Sequence, residues 1–244
     1  MNNNPVRYTD PSGHSYCDSQ NAVKEECNWK APLPPLLLLQ FSTDRNQSFT
    51  PEEIQTLEAG AWDVANALAR DMNAYCIRIS NMGEGCSLVS PQEAFYQVFG
   101  GPISVKRVAY TCNCWAEHRG RNANGQYEIW VYSSTSTKEI VEHPRLIAHE
   151  IGHAFHRAIK DAGLSLPINS MSTAGVDNRE GFAGREYSWQ LSVDMAPGEI
   201  YADMFVGWVY GRWETSPEGV TDAARKKMQF MTRTISDING ITGR

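Results

Sequence analysis

The 244-residue chain carries 22 Lys and Arg against 28 Asp and Glu, a formal net charge of −6, so no overall field draws it to nucleic acid. Its one basic run, Arg225-Lys226-Lys227, reads as a solvated helix face. Hydrophobic residues, 41% of the chain, suffice for a substantial core, yet the longest apolar run, Leu36 to Leu39, is far below the ~20 residues that span a bilayer.

Residues 1–30 are polar and without periodicity, and they run into a proline-rich boundary at 31–35. The start lacks the charged and apolar regions of a secretory signal, which implies either that the protein is not exported by that route or that the chain is a piece of a longer protein. Within it lies Asn3-Asn4-Pro5-Val6-Arg7-Tyr8-Thr9-Asp10-Pro11-Ser12-Gly13. This order resembles the N-P-x-x-Y-x-D-P-x-G element that closes the RHS/YD-repeat shell of bacterial polymorphic toxins. The resemblance implies a 1–30 tail of RHS type followed by an effector domain over 31–244, with the RHS shell of a parent chain as a partner. The six cysteines fall in close groups, Cys17 and Cys27, Cys76 and Cys86, Cys112 and Cys114, and none forms a C-x-x-C zinc motif. Short loops favour Cys17–Cys27 and Cys76–Cys86 disulfides and hence a secreted or extracytoplasmic protein, with six buried thiols as the alternative.

The main domain opens with a short apolar strand, Leu36 to Phe41. Thr50-Pro51-Glu52-Glu53 is a helix start, with an N-cap hydroxyl, proline at the first helical position and acids in the first turn; Ile54, Leu57, Ala61, Val64, Ala65 and Leu68 carry it to about Asn73. A second helix is expected over Pro91–Phe99, stopped by Gly100-Gly101. Residues 103–133 alternate as strands on either side of an Asn124-Gly125 turn, and Tyr127–Ser133 is expected to form a sheet edge beside the next helix.

That helix begins near Pro144, ends before Gly163 and contains His149-Glu150-Ile151-Gly152-His153. Histidines one turn apart share a helix face, so both imidazoles reach one ion, while Glu150 is rotated beside it. There it can take a proton from a water that zinc has acidified to a pKa of about 7. A third ligand is needed. The metzincin spacing would put it at Ile159, with His156 where glycine belongs, and the aspzincin signature is absent, so both classes are excluded. His156 shares the face of His149 and His153, but one straight helix cannot wrap three ligands round one ion.

Downstream, Pro197 opens a second apolar helix that carries Glu199 and Asp203 one turn apart. H-E-x-x-H followed by E-x-x-x-D resembles the gluzincin peptidases, such as thermolysin. The resemblance implies Glu199 as third zinc ligand and Asp203 as the carboxylate that orients His149, with Glu180, Glu186 and Asp194 in reserve as ligands. It also implies an α+β, zincin-like fold: a small mixed sheet with an edge strand over the active helix, and a mainly helical C-terminal part. Oxyanion donors are sought among Tyr187, the first choice, and Arg185, Tyr201 and His143; the loop Asn169–Met195 should border the cleft. The expected activity is zinc-dependent hydrolysis of protein or peptide substrates with Glu150 as general base. The alternatives are a zinc amidase acting on peptidoglycan and a non-catalytic module stapled by zinc.

Overall fold

The computed structural model describes residues 37–43, 47–82, 86–109, 115–182 and 196–242, all within one unit, Leu37–Arg244. The architecture is mixed α+β. Strand β1 (Leu39–Thr43) leads to helices α1 (Pro51–Ser80) and α2 (Pro91–Phe99), then strands β2 (Ile103–Val108), β3 (Ala116–Arg121) and β4 (Tyr127–Tyr132). Helices α3 (Thr137–Glu142), α4 (Arg145–Asp161), α5 (Met171–Ala174) and α6 (Pro197–Tyr210) follow; a hairpin of β5 (Thr215–Ser216) and β6 (Gly219–Val220) precedes α7 (Asp222–Thr242).

Local sequence explains the boundaries. Thr50 and Glu53 form a reciprocal capping box at the start of α1, and Ser90 and Glu93 another at α2. Helix α1 runs about two turns beyond the expected Asn73, and its end lies beside the Cys76–Cys86 disulfide. Gly100 at φ 78° and Gly211 at φ 62° supply the left-handed caps of α2 and α6. The expectations placed on residues 1–36, on Cys112 and Cys114, and on residues 183–195 fall outside the described residues.

The four-stranded sheet has the order β1-β2-β4-β3, parallel except for the antiparallel β3–β4 pair. This corrects the expected edge. Tyr127–Tyr132 is an inner strand, with β2 on one side and β3 on the other, and β3 is the edge. The buried, alternating Tyr127, Ile129 and Val131 are what an inner strand needs; the edge, Ala-Glu-His-Arg-Gly-Arg, is polar enough to stay wet and showed no alternation to find it by. The expected loop from Asn169 is also partly helical, with a 3-10 turn over Pro167–Ser170 running into α5.

One sheet face and the helices bury a continuous core that includes Leu57, Val64, Leu68, Phe95, Ile103, Val105, Ile129, Ile151, Phe155 and Phe205. Helix α4 is pinned from two sides by close backbone contacts. A Cβ on Gly60 of α1 would meet Ile147 Cγ2 at 2.4 Å and the Pro144 carbonyl oxygen at 2.7 Å. A Cβ on Gly152 would meet Ala202 Cα and Phe205 Cβ of α6, both at 3.1 Å. Two buried cations tie down the surroundings. Arg107 of β2 pairs with Glu53 of α1 at 3.3 Å and donates to the Thr135 carbonyl at 2.8 Å. Lys227 of α7 donates to the carbonyls of Val176 and Asn178 at 2.7 and 2.8 Å, which fastens the stretch that follows α5.

Candidate metal centre

Helix α4 carries His149, Glu150 and His153, and α6 carries Glu199 and Asp203; the contact at Gly152 sets how close the two helices come. His149 is buried and its Nδ1–H donates to Asp203 Oδ1 at 2.9 Å. With the proton held there, the lone pair lies on Nε2, the atom that faces the rest of the cluster. His149 Nε2 is 3.1 Å from Glu199 Oε2 and 3.2 Å from His153 Nε2, and His153 Nε2 is 3.4 Å from Glu199 Oε1.

These three groups could hold a metal ion: each offers one ligand atom, and those atoms all lie within 4.8 Å of one another. Three acceptor atoms turned toward a common point repel one another unless positive charge sits between them. The separations suit a small four-coordinate cation, since tetrahedral bonds of about 2.0–2.1 Å have edges of about 3.3 Å. Left to protons alone, the cluster also gathers positive charge. Burial pushes the His149 imidazolium down, yet the bonds to Asp203 and Glu199 outweigh it and hold its pKa up at about 10. Glu199 is held well below the usual carboxylate range by its bonds to His149 and then His153.

Glu150, rotated from the triad, is buried, and its Oε2 has no hydrogen-bond partner among the described residues. Burial pushes its pKa up, while His153, His149 and a hydrogen bond from the backbone N–H of His118 pull the other way. A buried carboxyl with one oxygen uncommitted, beside a metal-binding triad, is suited to accept and return a proton. The link from the His118 backbone to this base carries no signal in the sequence. Tyr132 donates to Glu117 Oε2, within electrostatic reach of Glu150, and burial, then Glu117, pushes its hydroxyl up to about 12.

The remaining sequence candidates separate cleanly. Glu180 is exposed and outside the triad. Tyr201 is fully buried with its ring 5.1 Å from that of His156; two residues past Glu199, it leaves α6 about 200° round the helix, away from the ligand face. It is therefore not placed as an oxyanion donor. His143 lies before the start of α4 with its ring tilted 33° against that of Trp115, 4.8 Å between centroids. Tyr187, Arg185, Glu186 and Asp194 lie outside the described residues. His156 is half-buried against Tyr201 and takes no part in the triad. No family model, no curated protein and no solved structure matches this chain.

Proposed function

We propose that the chain is a zinc-dependent peptidase with a zincin-like fold and a gluzincin-type site, in which His149, His153 and Glu199 hold the ion and Glu150 is the general base. The observation that carries this reading is the convergence of three ligand atoms at tetrahedral separations beside an uncommitted, buried Glu150 oxygen. The mixed sheet with one antiparallel edge strand lying on α4 supports it, because such an edge offers free backbone groups to an extended peptide. The Cys76–Cys86 disulfide suits an extracytoplasmic site of action. The RHS-like start suits an effector carried at the end of a larger chain.

Zinc, when bound, supplies a Lewis acid that lowers the pKa of water to about 7 and polarises the carbonyl under attack. Asp203 keeps the His149 proton on Nδ1, so that Nε2 stays a donor to the ion. Glu150 takes the proton from the attacking water and returns it to the leaving amine, and its raised pKa suits both halves of that transfer. The His118 N–H holds the base against the strand along which the substrate lies.

Metal analysis of the purified protein should find about one zinc per chain, and casein or a peptide mixture should be cleaved. Glu150→Gln should keep the fold and the zinc while hydrolysis falls by about 10²- to 10⁴-fold. Equal hydrolysis by the variant removes the mechanism.

A further inference from the structure

Beyond His153 the ligand-bearing face of α4 continues with Arg157 and Lys160, four and seven residues on and therefore about 6 and 10 Å along the axis. Lys160 is exposed and has no ion-pair partner among the described residues. Arg157 is half-exposed and pairs with Asp161 at 3.2 Å. From β3, Arg121 reaches the same Asp161 at 2.8 Å, so one carboxylate answers both arginines and Lys160 adds an unpaired charge beside them. The walls of this flank carry two more polar atoms in need of partners. His118 pairs with the buried Ile129 across the sheet, which turns it toward the helices, within electrostatic reach of His153, Arg157 and His156. The Nε2 atoms of His118 and His156 are buried and have no hydrogen-bond partner among the described residues.

We propose that this flank is a subsite for an acidic side chain, so that the enzyme selects peptides with Asp or Glu two or three residues before the cleaved bond. The inference rests on the peptidase reading. The distance follows from the extended rise of about 3.3 Å per residue: two to three residues cover the 6–10 Å from His153 to the cations. The side follows from strand direction. His118, at the inner part of β3, is tied to Glu150, and Arg121, at its end, is tied to Asp161. Antiparallel pairing, the more stable kind, therefore lays the substrate's N-terminal side over Arg121, Arg157 and Lys160. A carboxylate there meets Arg157 and Lys160, with the buried imidazoles of His118 and His156 behind them.

The test uses the zinc-loaded chain and one internally quenched peptide scaffold with Glu, Gln or Lys placed two and three residues before a single scissile bond. The Glu peptides should be cleaved about 5- to 10-fold faster than the Gln peptides and faster still than the Lys peptides, a margin that shrinks as salt is raised. In the Arg157→Glu, Lys160→Glu double variant the ratio should invert toward Lys; being a ratio, it is unaffected by a general loss of activity. Cleavage of all three peptides at one rate, or a preference that salt leaves untouched in the unaltered chain, overturns this inference and leaves the peptidase reading standing. Cleavage of none of them, nor of casein, by zinc-loaded protein overturns both.

Discussion

Replacing Gly152 by alanine tests whether the spacing of α4 and α6 sets metal affinity. The added carbon would stand 3.1 Å from Ala202 Cα and from Phe205 Cβ, and 3.3 Å from the Ala202 oxygen. Carbon atoms prefer about 3.5–4.0 Å, and two of these neighbours are α6 backbone, so the helix must retreat by roughly half an ångström. Metal bonds tolerate about 0.2 Å, so Glu199 would follow the retreat only partly and the Asp203–His149 hydrogen bond would lengthen. Zinc affinity should fall by about 10- to 100-fold, the size of effect that disturbing a ligand's supporting partner produces. In the metal-free protein the change is smaller, since overpacking costs about 1–3 kcal/mol and replacing a helical glycine returns up to about 1 kcal/mol. Competition against a chromophoric chelator gives the affinity, and urea melts in EDTA give the stability. If the variant binds zinc as tightly as the parent and is more stable by about 1 kcal/mol, the helices are not held apart by this contact and the reasoning fails.

Asp203→Ala should lower zinc affinity by about 10- to 100-fold with the helices intact by circular dichroism, because His149 Nδ1–H loses its acceptor. Burial, then the charge of His153, pushes both His118 and His156 down from 6.5 to about 4. The unfolded chain therefore takes up these protons first as pH falls, so their contribution to stability, full above pH 6.5, is lost between about 6.5 and 4. Allowing for solvent screening, the pair should account for about 2 kcal/mol, and urea midpoints of the His118→Gln, His156→Gln double variant should vary less across that window. Lys227→Met would leave the Val176 and Asn178 carbonyls without their donor and should cost about 2–4 kcal/mol in urea unfolding, with a stability change under 1 kcal/mol counting against the assigned role.

The parts of the fold that were legible in the sequence are those whose signals are local. Thr50 before Pro51 and the first-turn acids marks the start of α1, and Gly100 marks the end of α2, because each signal acts within one turn of its helix. His149, His153, Glu199 and Asp203 were readable for the same reason, since helical periodicity alone puts each pair on one face, and the structure brings the pairs together across α4 and α6. Pairing of α4 with α6, by contrast, depends on Gly152, whose place in the motif gives no hint that a neighbouring backbone needs its missing side chain. Strand order was not legible either. Edge and inner positions differ by which long-range partner is present, and the apolar Tyr127–Tyr132 was assigned the edge that the polar β3 occupies. His118 belongs to no motif, and only the folded sheet brings it beside α4.

The irregular pairing of β3 determines how the strand works. Between His118 and Gly120 its pairing with β4 slips by one residue, leaving Arg119 as the extra residue, over the Trp130 ring. In a regular strand the side chains of His118 and Arg121, three apart, would point to opposite faces; the slip turns both toward α4, where the His118 imidazole comes within electrostatic reach of His153 and the Arg121 guanidinium pairs with Asp161. The kink thus acts as an expansion joint that lets a straight ribbon fasten to a helix at two places whose spacings do not match. Shortening the strand by that one residue would leave its hydrogen-bonding capacity whole and yet unhook one of the two anchors.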